Sequence, residues 1–284
     1  MKTVLVTGAN GQLGHCIQKI QHQHSDIHFH FKSSKELDIT DTTLVNDYFL
    51  NHEIDYCVNC AAYTNVELAE SEEDKAYLVN AEAAKNLAKA CADNNVTLLH
   101  ISTDYVFDGT KTSPYIETDT TNPISVYGAS KLKGEQNIQE VFDNYFIIRT
   151  SWLYAEFGNN FYKLILRKAA EKANLTITTE QKGTPTNAND LAELIVEIIN
   201  TANKNYGIYH FSNDGEATWY DFTKEIIQNL NLAAADQPSL KSVATYKTKA
   251  ARPENSVLDK TKVRNIINTI TWQESLRKLM QNHL

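Results

Sequence analysis

Residues 4–14 read Val4-Leu5-Val6-Thr7-Gly8-Ala9-Asn10-Gly11-Gln12-Leu13-Gly14, an apolar run, then three glycines at three-residue spacing, then the start of a helical pattern. The chain uses only 10 glycines in 284 residues, yet three of them fall within seven positions. A strand, a tight turn and a helix N-terminus in that order aim backbone N–H groups at an anion, and glycines clear the side chains that would block its approach. The spacing is G-x-x-G-x-x-G rather than G-x-G-x-x-G, and by itself it would also suit a turn used only for helix–strand packing. Its place after the first strand of a β-α-β unit favours a dinucleotide pyrophosphate. Gly8, Asn10, Gly11, Gln12, Leu13 and Gly14 are the expected contacts.

The pattern downstream of that turn predicts a sheet of the kind such a site requires. Apolar strand-like runs over 3–7, 27–31, 56–58, 97–101 and 145–150 alternate with helical periodicity over 13–23, 41–51, 72–94 and 126–142. In the helix over 41–51, Leu44, Tyr48 and Phe49 share one side. This β-α-β rhythm predicts an α/β fold, a Rossmann-type doubly wound parallel sheet with helices on both faces. The rhythm is lost in the last third, where helices over 161–173, 190–203, 220–231 and 274–282 surround a short strand at 176–179. We therefore expect a dinucleotide-binding domain over 1–155, to whose sheet later segments can return. A smaller α/β substrate-binding lobe is expected over 156–284.

Charge and cysteine use limit the partners. With 27 Lys+Arg against 35 Asp+Glu, the net charge is −8, and no basic run offers a surface to nucleic acid. The chain shows no targeting segment and no stretch of the ~18–20 apolar residues that cross a bilayer, so a cytoplasmic protein with no membrane partner is expected. Cys57 and Cys60 form a C-x-x-C, but they continue an apolar strand and no second pair follows. Buried strand cysteines are the favoured reading over zinc or redox chemistry. His22, His24, His28 and His30, without cysteine partners, read as solvated.

Further cofactor contacts are expected where the second and third strands end. Lys32-Ser33-Ser34-Lys35 follows the second strand, where an adenosine ribose would lie. An acidic residue there would grip a free 2′-hydroxyl, whereas lysine and serine suit a 2′-phosphate. Lys32 and Ser33 therefore point to NADPH, with NADH as the alternative. Asp38 and Ile39 are placed to meet the adenine. Ala61 and Ala62, with Tyr63 beside them, give a small-residue platform for a flat cofactor.

Tyr127 and Lys131 stand four apart at the start of a predicted helix, on one face. A free phenol has a pKa near 10, and a lysine held nearby would lower it by charge. Thr103 closes the fourth strand, where it can donate a hydrogen bond to a substrate carbonyl oxygen or simply cap the strand end.

Taken together, these segments resemble the extended short-chain dehydrogenase/reductase family, in particular its reductases of 4-keto sugar nucleotides. The matching segments are GANGQLG (8–14), LDITD (37–41), NCAAYTNVELAE (59–70), VNA (79–81), STDYVFDG (102–109), NPISVYGASKLKGE (122–135), IIRTSWLY (147–154), GNNF (158–161) and RPENSVLD (252–259). The resemblance implies reduction of the C4 ketone of dTDP-4-dehydro-β-L-rhamnose, with hydride from the nicotinamide and a proton from Tyr127. It implies that Lys131 holds the nicotinamide ribose and lowers the tyrosine pKa, and that Thr103 orients the carbonyl. It also extends the cofactor contacts to Thr64, Tyr127 and Lys131, and puts Thr103, Asp104 and Trp152 at the sugar nucleotide. Arg252 is a candidate for the substrate diphosphate. Trp152 could otherwise be core.

Some relatives are magnesium-bridged dimers that use a glutamate just after the third glycine. His15 stands there in this chain, so no metal is expected, while a homodimer stays open. An eliminating dehydratase of the family needs an Asp-Glu pair after the threonine, and this chain has Asp104-Tyr105. An epimerase or another nucleotide-sugar reductase remains an alternative, as does a non-catalytic regulatory subunit.

Overall fold

The computed structural model describes residues 1–233 and 236–283. Its first part runs β1 Lys2–Thr7, α1 Gln12–Ile20, β2 Ile27–Lys32, α2 Thr42–Asn51 and β3 Tyr56–Asn59. Next come α3 Val66–Ala69, α4 Glu73–Tyr77, a π-helical turn over Leu78–Glu82, α5 Ala83–Asp93, β4 Thr97–Thr103, α6 Val126–Gln139 and β5 Tyr145–Thr150. The chain continues through β6 Leu153–Tyr154, α7 Phe161–Ala170, β7 Leu175–Thr178, β8 Lys182–Gly183, β9 Thr186–Asn187, α8 Ala188–Asn200 and β10 Gly207–Phe211. It ends with β11 Ala217–Thr218, α9 Trp219–Asn229, β12 Leu240–Val243 and α10 Trp272–His283.

Six strands form one parallel sheet in the order β10-β5-β4-β3-β1-β2. After β2 the chain crosses over β1 to lay β3 on its other side, so the order reverses between β1 and β3. Ligands of such sheets bind in the crevice at the carboxyl ends of the strands flanking that reversal. Period-two alternation fills both faces. Val4 and Val6 enter one core with Val58, Leu99 and Ile148, whereas Leu5 enters the other with Cys57, Leu98 and Ile147.

Two expectations about the elements are revised, and two later segments join the sheet layer. The helix expected over 72–94 is broken by the π turn, which gives buried Asn80 an inward place among the surrounding loops. In α2 the core face is Val45 and Phe49, four residues apart, while Leu44 points outward. Strand β10, absent from the sequence reading, adds the sixth strand beside β5. Helix α8 covers α1, packing Leu191, Leu194, Ile195 and Ile198 into the same core as Cys16, Ile17 and Ile20. The sheet layer is thus completed by residues beyond 155. The remaining C-terminal elements build a separate core around Tyr154, Tyr162, Phe222, Ile226, Trp272 and Leu276.

Among the described residues no helix is long and apolar enough to cross a membrane. All four cysteines are free, with Cys57 buried in β3 and Cys60 at the strand's end.

Candidate active site

A cavity of about 960 Å³ opens over the carboxyl ends of β1, β3 and β4 and runs from the loop after β2 to the C-terminal lobe. Its first wall is the glycine turn. Gly8 adopts φ +65°, and a Cβ there would stand 2.5 Å from the Ala61 backbone nitrogen. At Gly14 a Cβ would lie 2.5 Å from the Ala9 carbonyl oxygen, so only glycine lets α1 close onto the turn. No side chain caps the N-terminus of α1, which leaves its first N–H groups available to an anion. Gly8, Asn10, Gly11, Gln12 and Leu13 line the cavity, whereas Gly14 lies behind them and serves the packing.

Beside the loop after β2 the wall is Ser33, Ser34, Lys35 and the segment Leu37–Thr40, including Asp38 and Ile39. The Asp38 carboxylate accepts from the Thr40 N–H at 3.0 Å and its hydroxyl at 2.7 Å. Lys32 is not part of this wall. Its ammonium sits 5.4 Å from the centre of the Tyr48 ring, because alternation along β2 turns it away from the crevice. Lys35 is the cation that lines the cavity here.

Ala61, Ala62 and Thr64 form the floor. Tyr63 faces elsewhere: its hydroxyl donates to Glu72 at 3.0 Å, and its N–H donates to Asn80 Oδ1 at 2.8 Å. Asn80 also donates to the Tyr63 carbonyl and the Ser130 hydroxyl, so the π turn ties this floor to α6.

The reactive groups meet beyond the floor. Ser125 caps α6, which follows β4 after the long stretch 104–125 and brings Tyr127 and Lys131 to the cavity beside Thr103 and Asp104. Burial pushes the Tyr127 phenol up to about 12, with the Thr103 hydroxyl acting against the shift. Burial also pulls Lys131 down to about 8, opposed by the Glu135 carboxylate. The Lys131 ammonium donates to the Ile101 carbonyl at 2.6 Å. The protonated phenol is the form that can donate a proton. Thr103 accepts from the Tyr105 N–H at 3.2 Å and donates to Asp104 Oδ1 at 3.0 Å. It therefore caps the turn as well as facing the cavity. Asp104 is buried and pushed up to about 6 by desolvation, and its Oδ2 has no partner.

The far end belongs to side chains distant in sequence. Trp152 has φ 45°, a left-handed conformation unusual for a bulky residue. Its indole stacks on Trp219 of α9 with ring centres 3.7 Å apart. Gly183 makes room for it, since a Cβ there would meet the indole at 2.7 Å. Arg252 lines the cavity but is engaged by Glu67, which accepts from its Nη2 at 2.7 Å and from the Lys249 N–H at 2.8 Å. Sequence reasoning named the 32–35 loop but chose Lys32 over Lys35, and it missed Glu67 and Trp219. Only the Lys35 position carried a local signal, as the second cation of the 32–35 loop.

The donors fit a dinucleotide: uncapped amides at α1, a flat small-residue floor, and a buried lysine at the reactive end. Among the described residues no group of three or more His, Cys, Asp or Glu side chains could hold a metal ion. His15 packs against Phe157, ring centres 5.3 Å apart.

A parallel sheet with a glycine turn at its crossover and a Tyr-x-x-x-Lys helix beside it defines an extended short-chain dehydrogenase/reductase. The chain belongs to the family described as RmlD substrate binding domain, whose model matches residues 1–284. It is 37% identical to the dTDP-4-dehydrorhamnose reductase of Aggregatibacter actinomycetemcomitans, over 98% of each chain. It is 38% identical to the spore coat polysaccharide biosynthesis protein SpsK of Bacillus subtilis, over 99% of this chain and 98% of that one. The crystal structure of dTDP-4-dehydrorhamnose reductase from Bacillus anthracis in complex with NADP superposes with a TM-score of 0.93 at 38% identity, covering 99% of this chain and 100% of that one. A dTDP-glucose 4,6-dehydratase from Streptomyces venezuelae, 18% identical with a TM-score of 0.81, shares the fold.

Proposed function

We propose that this chain reduces the C4 ketone of dTDP-4-dehydro-β-L-rhamnose, giving dTDP-L-rhamnose. A bound NADPH supplies the hydride for C4. The observation that carries the reading is one continuous cavity with the glycine turn at one end, the Trp152–Trp219 pair at the other, and Thr103, Tyr127 and Lys131 between them.

Tyr127 gives its phenolic proton to the developing C4 alkoxide. Lys131 binds the nicotinamide ribose and compensates the phenolate charge as it forms. Thr103 donates to the carbonyl oxygen once its hydroxyl turns from Asp104. The buried Asp104 carboxyl, with one oxygen unpartnered, takes a hydrogen bond from a sugar hydroxyl. The Trp152 indole offers its face to sugar C–H bonds. Arg252 exchanges Glu67 for the substrate diphosphate. Gly8, Gly11, Gln12 and Leu13 hold the cofactor pyrophosphate, and Lys35 with Ser33 and Ser34 meets the 2′-phosphate. Asp38 and Ile39 meet the adenine, and Ala61, Ala62 and Thr64 support the nicotinamide half. The same reading locates the reaction in the cytoplasm, with a sugar nucleotide as the partner and a homodimer as the assembly to be tested by sedimentation.

The test is an assay with dTDP-4-dehydrorhamnose and either reduced cofactor, with the product identified by NMR. The reading expects stoichiometric NADPH oxidation and dTDP-L-rhamnose. A 4-epimer formed without net NADPH consumption, or no turnover of the ketosugar, overturns it.

A further inference from the structure

We infer that His100 is a positioning residue for Lys131, fixed as the Nε2–H tautomer so that its ring N–H is aimed at the lysine nitrogen. His100 lies three residues before Thr103 in β4 and is buried beneath the reactive end of the cavity. The inference rests on the reductase reading only for what Lys131 does, since the tautomer follows from geometry alone.

The argument starts at Asn59. The Ala61 backbone N–H can only donate, and it points to Asn59 Oδ1 at 3.2 Å; the Thr7 hydroxyl donates to the same oxygen at 2.7 Å. Those two donors fix the amide orientation, so its nitrogen faces His100 Nδ1 at 3.0 Å. An amide nitrogen donates and does not accept, which makes Nδ1 the bare nitrogen and puts the ring hydrogen on Nε2. An imidazolium would set two donors face to face at Asn59, and burial together with the Lys131 charge holds this ring well below its ordinary pKa of 6.5.

Nε2 lies 3.3 Å from Lys131 Nζ. A hydrogen bond from Nε2–H therefore needs a lone pair on Nζ, which only the amine form has. Another N–H of the same nitrogen still donates to the Ile101 carbonyl. Every dipole along Thr7, Asn59 and His100 thus turns a donor toward Lys131 and disfavours its ammonium. The other groups around Lys131 are Glu135 one turn later in α6, Tyr127 one turn earlier, and Cys60 at the end of β3. Glu135 and Cys60 act in the opposite sense to burial. Glu135 is partly spent, accepting from the Ser102 hydroxyl and pairing with Arg149 at 2.7 Å.

The result is a lysine that gives up its proton readily. In each cycle the Tyr127 phenol protonates the C4 alkoxide, the Lys131 ammonium compensates the phenolate, and solvent restores the phenolic proton. When Lys131 loses its proton as pH rises, the amine accepts the Nε2–H hydrogen bond and the compensating charge is lost, which sets the alkaline limb of activity. Hydride from NADPH and one solvent proton are the net inputs.

The test uses the full chain labelled with 15N-histidine, with His100→Gln to assign the signal. The inference expects a His100 ring protonated at Nε2 and bare at Nδ1 from roughly pH 5.5 to 9. An Nδ1–H tautomer, or titration to an imidazolium in that range, overturns it whatever reaction the chain performs. The pH dependence of kcat is the second readout. In His100→Leu the alkaline limb should move up by about one pH unit, with KM for NADPH within about twofold of wild type. In His100→Gln, whose side-chain N–H can face Nζ, the limb should stay near its wild-type position. A folded His100→Leu with an unmoved limb overturns the inference. If His100→Leu fails to fold, the spectrum and the glutamine variant decide. The Nε2–H tautomer in a chain that does not reduce the ketosugar sinks the reductase reading and leaves the placement of Lys131 intact.

Discussion

The two ends of the cavity are built on different principles. The proposed cofactor end is built from three short segments, each at the end of one strand: the glycine turn after β1, residues 33–40 after β2 and the small-residue floor after β3. The substrate end gathers Glu67, Trp152, Gly183, Trp219 and Arg252 from five separate stretches of chain. It holds a strained backbone at Trp152 (φ 45°) that persists because the stacked Trp219 and the Gly183 gap fix the indole. The lesson is that affinity for the shared cofactor can be fixed locally, whereas selectivity for one sugar nucleotide is an agreement among distant side chains.

Substitutions should separate the ends, and Tyr127→Phe should have the largest effect while belonging to neither. Turnover should fall about 10²–10⁴-fold with NADPH affinity, measured by fluorescence titration, nearly unchanged. Retained turnover would remove Tyr127 as the proton donor. Gly8→Val comes next. The side chain would press on the Ala61 backbone at φ +65°, so NADPH binding should be lost in titration calorimetry, while a protein that still binds would show that the turn is packing alone.

Asp104 sharpens the contrast through pH. Its carboxyl is raised from 3.8 to about 6, so the folded state binds a proton more tightly than the unfolded chain. Ionisation at Asp104 therefore costs stability: the penalty is absent below about pH 4, grows as pH rises toward 6, and is complete above it, reaching about 3 kcal/mol. Denaturant melts from pH 4 to 7 should show this decline in wild type relative to Asp104→Asn, and parallel curves would remove the assignment.

At the far end, Trp219→Ala should raise KM for the sugar nucleotide about three- to tenfold, the value of an aromatic pair, with KM for NADPH unmoved. Equal changes in both constants would mean that the stack supports the whole lobe. The smallest effect is expected at the adenosine loop. Lys35→Ala should weaken NADPH relative to NADH by about three- to fivefold, and Lys32→Ala by less, since that ammonium rests over Tyr48. The reverse order would return the 2′-phosphate to Lys32.

Much of the first half was legible because its determinants are local. The apolar run into Gly8, the alternation of β2, the apolar runs of β3 and β4, and the Tyr127–Lys131 spacing each specify structure over a few residues. Strand β10 was not legible. Gly207–Phe211 is a short apolar run whose strand identity comes from pairing with β5, and no pattern of its own distinguishes it. The break in the helix over 72–94 escaped for a related reason: the π turn is stabilised by what Asn80 meets at Tyr63 and Ser130, 17 and 50 residues away.

The sequence by itself determined the α/β sheet, the glycine turn and the phenol–amine pair, because backbone sterics and helical spacing act between near neighbours. Only the tertiary structure decided which lysine faces the adenosine loop, that Trp219 covers Trp152, that Glu67 holds Arg252, and which His100 nitrogen carries the hydrogen. Each of these depends on where a side chain points after distant segments have packed, and orientation of that kind has no period along the chain.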